Sequence, residues 1–485
     1  MAVPAELART VTSGERLVTR SYRKKVSVLC INTSYRKACD IFNEMSLRTE
    51  KGNKIPINTF IRDFVSEGLD IRKAKQDLAR KIMQENGFDI ETFRQENGRW
   101  PGTGQASLGN TIPIGGTEIL SVLIEEWDPE NPKLEGPEVT VSEESTSTNE
   151  ETAGLRKLFM DPDTDPMLLL KKRRTTRIEA DEEDVEWICN GYVAWLKHCK
   201  ILYQWTVEKG SARTAYIAMD AVHVVEQSEK HIKGGKPGVR TGKNRIGHWD
   251  IGVEFDGLRY SLTALTRKEA FQQLFACLIS NGLMDRYFVF FAGGEPEIFE
   301  DIEEYFGERA GSLIPDWLHL EKKVMGCLGS AIYHKMCPDP RKKDTDAKVK
   351  DTALSMLYAR KIVRILWVGN VEEAIVQLKS IKSDDIKDHE KIEWLIDYLQ
   401  HTEKWIVCYA LRKRAGLRNS FGGSEGADNI LTCDRQKDNG MGWRRDGSSA
   451  EANMMCLFAN DEQDLWFSSR EVTFKVHARR MEAKS

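Results

Sequence analysis

The chain has 485 residues, 40% of them hydrophobic and 30% charged, enough for two or three domains that each bury a core. No run approaches the roughly 18 consecutive apolar residues of a membrane helix, and the opening stretch MAVPAELARTVTSGERL has no apolar h-region, so the expectation is a protein of the cell interior with no membrane partner. Ten cysteines without CxxC pairs argue for free thiols and against a disulfide frame or zinc ribbon, while a net charge of −4 does not by itself mark a nucleic-acid binder.

In chain order, KACDIFNEM, INTFIRDFV and DIRKAKQDLARKIMQE place apolar residues at three- and four-residue steps, which predicts short helices separated by turns. Residues 1–126 are therefore read as a mainly helical domain, either a helix-turn-helix-like DNA reader or a plain helical domain. The Gly-rich stretch at 98–116 is a loop without the GxxxxGK[ST] of a phosphate-binding loop. Acid, Ser and Thr make 127–153 the best linker, and 154–210 is a helical connector containing DEEDVEWICNGYVAWLKHCKILYQW. Basic clusters at 20–25, 171–174, 233–245, 412–414 and 479–480 are either solvated faces or phosphate contacts.

Beyond residue 211 the pattern changes to strands. ARTAYIAMD is a short apolar run ending on Asp220. HWDIGVEF and LRYSLTALT alternate around Asp256-Gly257, a hairpin signature. A helix over 267–283 closes at Gly282, RYFVFFAGG is a buried strand, EPEIFEDIEEYFG is a helix, and GSLIPDWLH is a strand leading into a helix. That order, in residues 211–319, is the order of an RNase H-like α/β core with a mixed sheet. Residues 320–412 read as an all-helical insertion without strands, and 413–485 as the closing helix of the core with a C-terminal tail.

Two-metal phosphoryl transfer gathers carboxylates around Mg²⁺ or Mn²⁺ ions that want oxygen ligands. YIAMDAVHV, FVFFAGGEPEIFEDI, PDWLHLEKKV, the helical stretches from 367 to 417, and GGSEGADNILTCDRQKDNGMGWRRDGSSAEANMMCL together resemble, in order and over roughly residues 180–460, the motifs of DDE insertion-sequence transposases of the Lre and Kra groups. The resemblance implies metal-binding carboxylates at Asp220 and Glu425, with Mg²⁺ or Mn²⁺ as cofactor if the protein is active. It implies duplex DNA, the ends of an element, as partner, self-association as a dimer or higher oligomer, and a cytoplasmic, nucleoid-associated location.

The departures are specific. Gly293 stands where the second Asp belongs, and Ala221 and Val222 replace acidic neighbours of the first. Glu295 or Asp316 are the two candidates to compensate, Asp316 counted among the catalytic residues; the alternative is a catalytically silenced transposase that binds DNA or regulates. Lys322, Lys323, Arg435, Arg444 and Arg445 are candidate DNA contacts. Trp443 either stacks on an unpaired base or anchors the last helix. His319 either orients a phosphate or carboxylate or packs under the sheet.

Overall fold

The computed structural model describes residues 19–44, 54–96, 98, 214–226, 245–293, 295–337, 352–414, 417–421, 436 and 443–476. The 127–153 linker, the 154–210 connector, Glu425 and Arg435 lie outside the described residues. The chain divides into two compact units interleaved in sequence: Met1–Glu96 with Ile217–Met284 and Gly423–Ser485, and Asn97–Tyr216 with Asp285–Gly422.

The N-terminal helices are α1 (Arg20–Asn32), α2 (Tyr35–Glu44), α3 (Ile57–Glu85) and α4 (Ile90–Gln95). The two helices expected over 57–85 are one 29-residue helix. Gly68 does not break it, because intrahelical bonding satisfies the backbone and the missing side chain has another use. A Cβ there would lie 2.4 Å from the carbonyl oxygen of Ala450 and 2.5 Å from its Cα. The glycine lets two helices of the first unit approach backbone to backbone.

Next come β1 (Thr214–Val225), β2 (Arg245–Phe255) and β3 (Leu258–Ala264). The hairpin expected from Asp256-Gly257 is present. Phe255 pairs with Leu258 across a two-residue turn, and both turn residues have positive φ, 50° and 75°. That is the turn whose twist matches the strands. Helix α5 (Arg267–Ser280) is capped by Thr266, which accepts from the Glu269 N–H. It ends as expected at Gly282, φ 63°, where Leu283 N–H reaches the Leu278 carbonyl at 2.8 Å.

β4 (Tyr287–Ala292), α6 (Pro296–Phe306), β5 (Ser312–Pro315) and α7 (Trp317–Ala331) follow. The strands form one sheet in the order β3-β2-β1-β4-β5, mixed because β2–β3 is antiparallel and β4–β5 parallel. The chain thus has an α/β core. All six residues of β4 are buried, as the continuous run of aromatics suggested.

The insertion contains α8 (Leu354–Trp367), α9 (Val371–Lys379), α10 (His389–Thr402) and α11 (Tyr409–Arg414). It is not free of strands: β6 (Met336–Cys337) and β7 (Thr352–Ala353) make a two-stranded antiparallel ladder. A ladder of two residues a side carries too little alternation to register in the sequence. The last helices among the described residues are α12 (Arg445–Ala459) and α13 (Gln463–Ser469).

In the first unit α3 is the spine. Phe60, Phe64 and Ile71 share a buried cluster with Val26 and Cys30 of α1, Phe42 of α2, Met454 and Leu457 of α12, and Trp466 of α13. Two buried charges on α3 tie the periphery down. Glu67 accepts from Arg23, from the Trp466 indole at 2.6 Å and from Arg470. The Lys75 ammonium donates to Glu462 (2.6 Å), the Tyr260 hydroxyl and the Thr473 carbonyl (each 2.5 Å), which matches its three protons to three acceptors. The free edge of β3 is covered too: the Asn460 carboxamide bonds both the N–H and the carbonyl of Ser261, each at 2.8 Å.

Candidate functional site

Asp220 lies within β1 and not at its end. The strand was expected to stop on the carboxylate, but the alternation of Ala221-Val-His-Val-Val225 continues it. Side chains of successive residues point to opposite faces, so Asp220 shares a face with Val222 and Val224. Those two valines are buried with Ile246 and Trp443, whereas His223 and Val225 are exposed. One Asp220 oxygen accepts from the Ala221 N–H at 2.9 Å.

Trp443 is anchored beside them. Its backbone N–H donates to the Val225 carbonyl at 2.9 Å, its ring meets Tyr35 edge-on at 5.8 Å, and it is 5% exposed. In this arrangement the indole packs inside the first unit ahead of α12. Arg444 and Arg445, the N-cap and first residue of α12, are exposed.

A buried hydrogen-bonded set that sequence reasoning missed sits under the same turn. His248 of β2 lies with Nε2 2.6 Å from the Ser448 hydroxyl. Ser448 donates to Gln436 Oε1, and Gln436 Nε2 donates back to the Ser448 carbonyl at 3.0 Å. All three are at most 1% exposed. Burial, reinforced by Arg72, Arg445 and His223 and opposed by Glu269, pushes the His248 imidazolium down to about 4, so the ring is neutral at pH 7. Its only sequence signal is a histidine at an inward position of an alternating strand, which is the signal of any core histidine.

In the second unit, Gly293 is buried directly after β4, and its carbonyl accepts from the Glu295 N–H at 2.7 Å. Glu295 is the N-cap position of α6, as its place before the helix implied. Asp316 caps α7. One oxygen accepts from the Leu318 N–H at 2.9 Å, the other from the Phe421 N–H at 3.1 Å, and the residue is 3% exposed. Its own N–H donates to the Ala292 carbonyl at 3.0 Å, so β4, β5 and the 417–421 segment meet at this carboxylate. Nearby, Trp317 N–H bonds the Asn419 carbonyl at 3.0 Å and the Tyr409 hydroxyl bonds the Pro315 carbonyl at 3.0 Å. The buried Arg412 guanidinium donates to the Arg418 carbonyl at 2.9 Å. His319 Nδ1 is 3.6 Å from Asp316, beside the cap.

The basic candidates separate. Lys322 is exposed. Lys323 lies 4.0 Å from the centre of the Tyr398 ring and 5.3 Å from that of Trp394, a cation–π position. The 20–25 cluster is largely engaged inside the first unit: Arg20 donates to the Ser468 carbonyl, Arg23 to Glu67 and Lys24 to Asp464.

Among the described residues, no group of three or more His, Cys, Asp or Glu is placed to hold a metal ion. Within the second unit, Asp316 has both carboxylate oxygens on backbone amides, and Gly293 carries no ligand side chain. No described helix is long and apolar enough to cross a membrane. Comparison of the chain with protein-family models, with curated proteins and with solved structures finds no match.

Proposed function

We propose that this chain is a DNA-binding protein of the DDE-transposase type, built on an RNase H-like core, whose strand-cleaving chemistry is silenced. The observation that carries the reading is the strand order: an antiparallel hairpin on one side of β1, a parallel pair on the other, with Asp220 within β1 and Gly293 after β4. An RNase H-like core has that order, and its metal carboxylates come from those two strands.

In a site of this kind, positioning and electrostatics supply nearly all of the catalysis. A glycine in place of a ligand leaves the cations short of one negative charge, and the Asp316 oxygens already bonded to amides do not make up the loss. The DNA-binding half of the proposal rests on Arg444 and Arg445 of the first unit, exposed cations that can meet phosphate without sequence preference. Duplex DNA, element ends in particular, is the proposed partner, and the assembly is proposed to be a dimer or larger.

Fluorescence anisotropy with a labelled duplex of about 30 base pairs, read across a salt series, tests the binding, which should weaken linearly in log salt. Absence of binding at 50 mM salt would refute the DNA reading. Supercoiled plasmid with Mn²⁺ tests the silencing. No nicking is expected, and nicking that Asp220→Ala abolishes would overturn it.

A further inference from the structure

The buried His248–Ser448–Gln436 set has a determinable proton arrangement. The Ser448 carbonyl can only accept, so the Gln436 atom that bonds it is the amide nitrogen. The other arm of Gln436, facing the Ser448 hydroxyl, is therefore the carbonyl oxygen, and it takes the single hydroxyl proton. The hydroxyl has no second proton to give, so His248 must donate: the ring is the Nε2–H tautomer. The order is imidazole N–H to hydroxyl to carboxamide, with the carboxamide returning a bond to the helix backbone.

Ser448 belongs to the first turn of α12, and its own N–H bonds the Arg444 carbonyl at 2.9 Å. The turn that carries Arg444 and Arg445 is thus held on two sides. Trp443 ties it to the end of β1 through Val225, and the histidine relay ties it to β2. Arg444 has no side-chain role in capping the helix, and both arginines are exposed on this fixed turn.

We propose that His248 and Gln436, acting through Ser448, are positioning residues that hold the first turn of α12 so that Arg444 and Arg445 present two adjacent cations to the phosphodiester backbone of duplex DNA. The proposal rests on the DNA-binding reading above. It assigns the relay a purpose that core packing does not need, since an apolar side chain would fill the same space without a buried polar chain to satisfy. A fixed turn lowers the ordering cost of two long side chains meeting phosphate.

The test uses the full chain as His248→Phe, which removes the donor, and as His248→Gln, whose amide restores a donor near the Nε2 position. Hydrogen exchange at the backbone amides of Arg445 to Ser449 reads the anchoring. Salt-dependent duplex affinity reads the purpose. The Phe variant should speed exchange in that turn while the Gln variant protects it. Replacing both arginines by alanine should lower the salt slope by roughly two. His248→Phe should reproduce much of that loss alone and add nothing in the double-alanine background. Unchanged exchange overturns the proposal, as does a loss of affinity of the same size in both backgrounds, which would mark general destabilisation. Should His248→Phe fail to fold by near-UV circular dichroism, Ser448→Ala carries the same comparisons. Faster exchange in a chain that binds no DNA overturns the DNA reading alone and leaves the anchoring in place.

Discussion

Lowering the pH should weaken the first unit through a single buried ring. Folded His248 titrates at about 4 against an ordinary value of 6.5. Between those two values the unfolded chain binds a proton that the native one refuses. Stability is therefore full above about pH 6.5 and falls as the pH drops toward 4. Working the two values through the linkage relation, His248 alone should remove about 2 kcal/mol between pH 7.5 and pH 5. The cause is burial first, then Arg72 and Arg445, whose positive charges oppose an imidazolium; Glu269 favours it but already holds Arg72 through two bonds at 2.9 and 2.7 Å. Urea unfolding at pH 7.5 and pH 5, followed by near-UV circular dichroism, measures the loss. Carboxylates held low, such as Asp89 with its Thr92 bonds, titrate below this window and do not confuse it. His248→Gln should flatten the difference. Equal pH dependence in the wild type and the Gln variant would show that the ring is not the group responsible.

Three further perturbations follow from the packing. Lys75→Met leaves Glu462 buried without its cation and should cost about 3–5 kcal/mol, whereas the double change with Glu462→Leu should recover most of it, as thermal unfolding would show. Gly68→Val drives a side chain into the Ala450 backbone, so a loss of about 3 kcal/mol is expected, with faster hydrogen exchange in α12; a neutral effect would refute the close approach. Asp316→Ala removes the cap of α7 and the acceptor of the Phe421 N–H, at a cost of about 2 kcal/mol. It should also open the 417–421 segment to proteolysis, and an unchanged cleavage pattern would count against the clamp.

Much of the core was legible because local chemistry dictates it. Asp256-Gly257 can adopt positive φ and so makes the hairpin, Gly282 ends α5, and the apolar run of 287–292 has no polar face to expose. These features depend on neighbours a few residues away, so composition and spacing carry them. The continuity of α3 through Gly68 and the extension of β1 past Asp220 were not legible. The first depends on Ala450, far along the chain, and the second on strand pairing that outweighs a carboxylate's preference for turns.

The carboxylate at 316 shows the same division. Its place after β5 could be read from the chain, but whether it serves a metal or the backbone depends on what approaches its oxygens, and folding brings the amides of Leu318 and Phe421 to them. His248 was more hidden still, since nothing near it in sequence announces Ser448, 200 residues away. The sequence by itself determined the order of strands and helices from β1 to α7, the turn geometry, and the absence of an acid at position 293. Only the tertiary structure decided which buried polar groups meet, because a hydrogen bond between distant residues is specified by the packing of the elements that carry them and leaves no periodic trace along the chain.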